Sequence, residues 1–411
     1  MHTLITADHL VRSADEQPIS PGAVLVEDEV ILAAGPADEV AARAGSTAVV
    51  RAHPGGTILP GLMDAHVHLA FDGTPGTVAA MTAMDDADLL LDMAGHAQLL
   101  LDAGVTTVRD LGDRNGLAAS LRDAIAVGKL EGPRILAANA PVTVTGGHCW
   151  FFGGEADGID DLRRVVRRNV REGADVIKVM ASGGNMTPSS PPPWQPQFTV
   201  EELRAIVEEA HRFGRPTAAH AHNAEAVARA VAAGIDSVEH CGWATRDGSV
   251  DRRPEVIAQM KANGTVISPT VGAAVTRPPY DSHAPRIVET LAWYRASGVT
   301  LVGSTDAGAT GTGFGEYART FPLWAQAGFT PAELLRVLTL TPAQAFGIAD
   351  RVGRLHPGFE ADLIVTDGNP LEDLSAFGRI RLVVARGRAR VPRSERAPVP
   401  DLRPELQAAA R

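Results

Sequence analysis

Two cysteines in 411 residues, Cys149 and Cys241, are too few for a disulfide framework. Basic residues are also scarce: 38 Lys and Arg stand against 49 Asp and Glu, a formal charge of −11. No Lys/Arg run breaks that balance, which argues against a nucleic-acid partner. No apolar run approaches the roughly 18 residues that a bilayer-spanning segment requires. The start, Met1-His2-Thr3-Leu4-Ile5, shows neither the basic nor the apolar region of a secretory signal. These absences together predict a cytoplasmic protein with no membrane partner. No Gly-x-Gly-x-x-Gly follows an early strand, so a dinucleotide-binding sheet is disfavoured.

What is present is globular. With 45% apolar and 21% charged residues, the chain can bury a substantial core. Its length suits a barrel of about 250 residues plus an accessory domain. Short strands punctuated by turns are expected at both ends. Leu4–Thr6, Ala23–Val26 and Val30–Ala34 lie near the start, and Gly353–Leu355, Asp362–Val365 and Arg381–Gly387 after residue 350. The simplest arrangement is a β-sandwich assembled from residues 1–56 and 351–411, with a (β/α)8 barrel over residues 57–350 inserted between them. The middle alternates strand and helix, with barrel strands predicted to end near His68, Asp110, Pro141, Met180, Ala221, Cys241, Pro269 and Asp306. Gly104, Gly173, Gly214, Gly234, Gly264 and Gly298 each follow a helical run, where a glycine can close the helix.

The functional residues of such a barrel sit at the C-terminal ends of its strands. His66 and His68 project from one face of a strand end, because side chains two apart share a face. His220 and His222 repeat the pattern, His240 follows Glu239 at the next strand, and Asp306 ends the last. Any one could be a satisfied polar residue at a loop entrance; together they form a candidate ligand set. Imidazole and carboxylate donors suit zinc, with iron, cobalt, manganese and nickel also compatible. Lys178 lies on an apolar strand, Asp175-Val176-Ile177-Lys178-Val179-Met180, where an unpaired ammonium is costly to bury. It is either paired with a carboxylate or carboxylated by carbon dioxide, which would give two oxygens able to bridge cations. His148, in Thr145-Gly146-Gly147-His148-Cys149-Trp150, is a candidate to meet substrate or a developing oxyanion, against a structural loop role. Arg109 could clamp a substrate carboxylate or pair with a neighbouring acid.

The proline-rich stretch from Asn185 to Phe198 and the segment Arg277-Pro278-Pro279-Tyr280 are expected over the mouth. Trp150, Trp194, Trp243, Phe314 and Tyr317 fall on loops at that face and suggest an aromatic or apolar portion of substrate.

Leu59-Pro60-Gly61-Leu62-Met63-Asp64-Ala65-His66-Val67-His68 resembles the first-strand signature of the metal-dependent amidohydrolase superfamily. Gly104–Asp110, Thr145–His148 and Ile177–Gly184 resemble its branch of imidazolonepropionase-like proteins and binuclear metal dipeptidases. The resemblance implies two divalent ions, most commonly zinc. His66, His68 and Asp306 would hold one, and His220 and His240 the other, with carboxylated Lys178 and a hydroxide as bridges. It further implies hydrolysis of an amide C–N bond in a small molecule such as a dipeptide, an N-acyl amino acid or a cyclic amide. Asp306 would be general base and acid, and His148, Arg109, Trp150, Trp194 and His222 would line the substrate. His222-Asn223-Ala224-Glu225 also matches the His-x-x-Glu of mononuclear deaminases, where His222 would be the ligand and Glu225 the proton carrier. Glu225 is equally explained as a first-turn carboxylate at a helix N-terminus. An inactive scaffold is disfavoured because every ligand is retained. Self-association is neither required nor excluded.

Overall fold

The computed structural model of the chain describes residues 2–393. Residues 394–411 of the expected C-terminal segment lie outside that range. Strands β1 (His2–Leu10), β2 (Gly22–Glu27), β3 (Val30–Pro36) and β4 (Val49–Pro60) come from the N-terminal part. They join β12 (Leu363–Asp367), β13 (Ile380–Ala385) and β14 (Arg388–Arg390) in one seven-stranded sheet. Its order is β14-β13-β12-β4-β1-β2-β3, so the two chain ends meet where β4 pairs with β12. Alternation along the strands divides the core. Ile5, Val24, Ile58 and Val365 share one buried cluster, while Leu4 and Leu25 point the other way beneath the helix Ala37–Ala44. Leu59, Ile364 and Val383 instead belong to the large cluster that fills the middle of the molecule.

That middle consists of parallel strands and surrounding helices. β5 (Leu62–Val67), β6 (Val105–Asp110) and β7 (Arg134–Ala137) form one parallel arc. β8 (Ile177–Met180), β9 (Thr217–His220), β10 (Ser237–Glu239) and β11 (Val266–Ser268) form a second. Every residue of β5, β6, β8, β9, β10 and β11 is buried, as expected of parallel strands covered on both faces. The helices expected between them appear within a residue or two, as in Asp86–Asp102, Ile159–Arg171, Val200–Arg212 and Ala224–Ala233. Thr199 and Glu202 cap the third of these reciprocally, which fixes its start.

The ladder does not close into a continuous ring. Isolated parallel bridges, Val142–Val179, Ile267–Leu301 and Val67–Ala307, stand where further strand pairing was expected. At the expected eighth strand the reason is local. The Gly303 amide donates to Val337 O at 2.7 Å, the Thr305 amide to the Asp64 carboxylate at 3.0 Å, and Asp306 has φ 63°. Those groups are satisfied without a ladder. The third strand likewise ends early, at Ala137 rather than Pro141, because Asn139 turns the backbone to φ 58°.

Gly61 joins the terminal sheet to the central strands. A side-chain carbon there would stand 2.1 Å from Thr106 Oγ1, so the close approach of β5 to β6 requires glycine.

Candidate functional site

β5 delivers His66 into the interior, and the turn after it delivers His68. Their Nε2 atoms lie 3.3 Å apart, and Asp306 Oδ1 is 3.4 Å from the first and 3.5 Å from the second. A second group forms at the ends of β9 and β10, where ring nitrogens of His220, His222 and His240 all fall within 4.8 Å of one another. The groups adjoin: the rings of His66 and His240 are 5.1 Å apart, and His148 packs on His220 at 4.7 Å. The structure therefore gathers every histidine that the sequence singled out. His222, expected as a substrate contact, stands as near its neighbours as His220 does. His240 and Asp306 both adopt positive φ, at 61° and 63°. Such backbone is costly for residues with side chains, by about 1–3 kcal/mol each, and tends to be retained at functional sites.

Burial sets the charge states. It drives the pKa of His66, His220 and His240 well below the ordinary imidazole value, and that of His68 and His148 to about 3 and His222 to about 4. Neutral imidazole is the form that binds metal. Burial also raises Asp306 to about 6, opposed by the charge of Lys178. Lys178 itself is fully buried on β8, beside Ala218 of β9, and its Nζ has no hydrogen-bond partner. Desolvation brings its pKa down to about 8, and its charge depresses histidines of both groups. A carboxylate-paired ammonium is not what the geometry shows. An orphaned amine beside two clusters of imidazole and carboxylate donors is an environment that a divalent-metal centre with a modified lysine fits.

Neighbouring polar groups hold the donors in place. His240 Nδ1 meets Thr270 Oγ1 at 2.8 Å, and His220 Nε2 lies 3.2 Å from Gly183 O. His148 Nδ1 is 3.0 Å from Thr187 Oγ1, and its backbone amide donates to Gln197 at 2.9 Å. Gln197 also donates to Met180 O at 2.6 Å, which folds the loop from Asn185 to Phe198 back onto the strand ends.

Three expectations need correction. Arg109 does not face a substrate: it is 4% exposed, and its guanidinium donates to Ala65 O, Ser237 Oγ and Glu239 Oε1 at 2.7–3.0 Å. Arg109 lines, with Leu136, Val176 and Ser237, a different cavity from the one that opens on His222 and His240. Trp150 and Trp194 are each 45% exposed and lie outside the cleft beside the histidines. Phe152, in the same turn as Trp150, takes the buried position and leaves Trp150 outward. Phe314 and Tyr317 are buried packing residues, the first stacked on His96 and the second donating to Met63 O.

The cleft of about 540 Å³ that opens on His222 and His240 is walled by Trp243, Val271, Val275, Ile287 and Leu291, with Pro193 and Arg286 also lining it. Sequence reading named Trp243 but not Arg286. It also passed over the role of Glu239, a fully buried carboxylate whose Oε2 lies 2.9 Å from His66 Nδ1. The buried Ser-Val-Glu-His run was the available signal.

A family model described as Amidohydrolase family matches residues 57–390. Ochratoxinase of Aspergillus niger is 29% identical over 416 aligned residues, covering 91% of this chain and 83% of the relative. Imidazolonepropionase of Rhizorhabdus wittichii is 27% identical, covering 85% and 88%. Among solved structures, a Xaa-Pro dipeptidase with methionine bound in its active site superimposes with a TM-score of 0.81. It is 30% identical and covers 95% of this chain and 100% of its own.

Proposed function

The chain belongs to the amidohydrolase family, and we propose that it hydrolyses the amide C–N bond of a small N-acyl amino acid or dipeptide at a two-metal centre. The observation that carries this reading is the orphaned, fully buried Lys178 Nζ beside two ligand clusters, His66 with His68 and Asp306, and His220 with His222 and His240. His66, His68 and Asp306 would hold one ion, His220 and His240 the other, with His222 within reach and a carboxylated Lys178 between them. Zinc suits these donors. Divalent ions held there would acidify water and polarise a scissile carbonyl.

The chain's own residues supply the rest. Asp306, its pKa raised to about 6, takes the proton of the attacking water and passes it to the departing nitrogen. His148, anchored through Nδ1 to Thr187, offers Nε2 to the carbonyl oxygen. Trp243 and the aliphatic wall receive an apolar side chain and exclude water, while Arg286 draws a carboxylate to the cleft. The same reading takes the parallel strands as one (β/α)8 barrel over residues 57–350 and the terminal strands as a β-sandwich domain.

A mononuclear deaminase draws on the position of His222 within its cluster. Against it, Glu225 is engaged with Arg229 at 2.8 Å and Arg253 at 3.2 Å, as a helix-start carboxylate rather than a proton carrier. Purified protein loaded with metal should release free amino acid from N-acyl amino acids or dipeptides and contain about two ions per chain. A metal-replete protein that cleaves no amide in such libraries would refute the proposal.

A further inference from the structure

Glu239 takes no part in the reaction as described, yet both oxygens of this fully buried carboxylate are engaged beside the site. Its Oε1 accepts from Arg109 Nη2 at 2.7 Å and from Ser237 Oγ at 2.7 Å, and its Oε2 lies 2.9 Å from His66 Nδ1. Arg109 is itself fixed at three further points. Nε donates to Ala65 O at 2.8 Å, Nη1 donates to Ser237 Oγ at 3.0 Å, and the guanidinium lies 4.7 Å from the centre of the Phe346 ring. Both Glu239 oxygens are thus committed, and the side chain has no freedom to swing.

We propose that Glu239, clamped by Arg109 and Ser237, is a positioning residue that fixes the tautomer and the angle of the His66 ring. A carboxylate surrounded by donors can only accept, so the hydrogen sits on His66 Nδ1 and the lone pair on Nε2. That lone pair is the one directed at the His68 and Asp306 donors, 3.3 and 3.4 Å away. The hydrogen bond also raises the donor strength of the ring. The clamp runs from β6 through β10 to β5, so three strands set one ring before any ion arrives. Removing it costs ligand geometry, not substrate contact.

This rests on His66 being a ligand, so the experiment measures metal directly. In Glu239→Gln the amide oxygen stays with Arg109, and its NH2 group turns to His66 Nδ1. Nδ1 then accepts, and the hydrogen moves to Nε2. Titration of metal-free protein with cobalt, followed by visible absorption, should show one of two sites weakened about 10–100-fold, with an altered band. The metal-free protein should melt at a lower temperature, because Arg109 loses its buried charge partner, so cobalt affinity is read well below that transition, where both proteins are folded. Wild-type cobalt affinity and spectrum in Glu239→Gln would overturn the inference and leave the two-metal reading intact; a wild-type protein that binds no metal would bring down both. If Glu239→Gln does not fold, Ser237→Ala decides: several-fold weaker cobalt binding supports the clamp, and unchanged binding overturns it.

Discussion

Arg134 Nη1 donates to Asp362 Oδ2 at 2.6 Å, joining β7 of the central arcs to the turn that leads into β12 of the terminal sheet. The same guanidinium also binds Glu360, which in turn holds Arg351. Asp362 is only 4% exposed and further accepts from the Arg386 amide at 2.7 Å. Arg134→Ala would strand that carboxylate, so a loss of about 3 kcal/mol in unfolding free energy is expected by denaturant titration. A loss under 1 kcal/mol would show the junction to be held by apolar packing alone.

The same junction predicts a pH dependence. Burial pushes the Glu360 carboxyl up, but the charges of Arg134 and Arg351 outweigh it and leave its pKa below the ordinary value. A depressed folded-state pKa contributes stability that is complete above the unfolded value and disappears as pH falls through the folded one. The melting temperature should therefore fall more steeply between about pH 5 and pH 3 in the wild type than in Glu360→Gln. Parallel curves would remove Glu360 from the account.

Asp306→Asn should keep much of the bound metal and lose turnover by about 10²–10⁴-fold, since the amide oxygen still coordinates while the proton has nowhere to go. Steady-state rates beside metal content by elemental analysis test this. Near-wild-type rates at full occupancy would reject the general-base role.

Lys178→Ala should lose metal and activity together, and a short carboxylic acid added to the assay should restore part of both by taking the place of the carbamate. Difference density at Nζ in a metal-replete crystal should show a planar carboxylate. A bare amine with a single ion bound would defeat the two-metal reading.

His220→Ala should weaken metal binding more than His222→Ala, although both rings stand in the same cluster. An emptied site in His222→Ala alone would redraw the ligand set toward the mononuclear arrangement.

The cleft wall offers a stability test independent of metal. Tyr294 is fully buried, accepts from Trp243 Nε1 at 2.7 Å and donates to Cys241 O at 2.6 Å. Tyr294→Phe leaves both partners unpaired, at a cost of about 1–3 kcal/mol. A neutral substitution would mean that water replaces the hydroxyl.

The sequence by itself determined the elements and the donor types. Period-two spacing put His66 with His68, and His220 with His222. Buried apolar runs flagged the parallel strands, and a lone lysine on one of them announced unusual chemistry. These signals are local, carried within a few residues of chain, and they survive folding unchanged. Which groups meet was decided only by tertiary structure. Arg109 and Glu239 are 130 residues apart, and no spacing in the chain pairs them; the approach of β6 and β10, which belong to different sheets, does. Whether Trp150 or Trp243 lines the cleft depends on packing from distant elements: Trp243 is held there by Tyr294, while Trp150 is left outward. The path of the chain after Val302 depends on the Asp64 carboxylate and on Val337 of a later helix, which satisfy its amides from elsewhere. A backbone polar group takes the partner that the assembled fold brings to it, and only the assembled fold contains that partner.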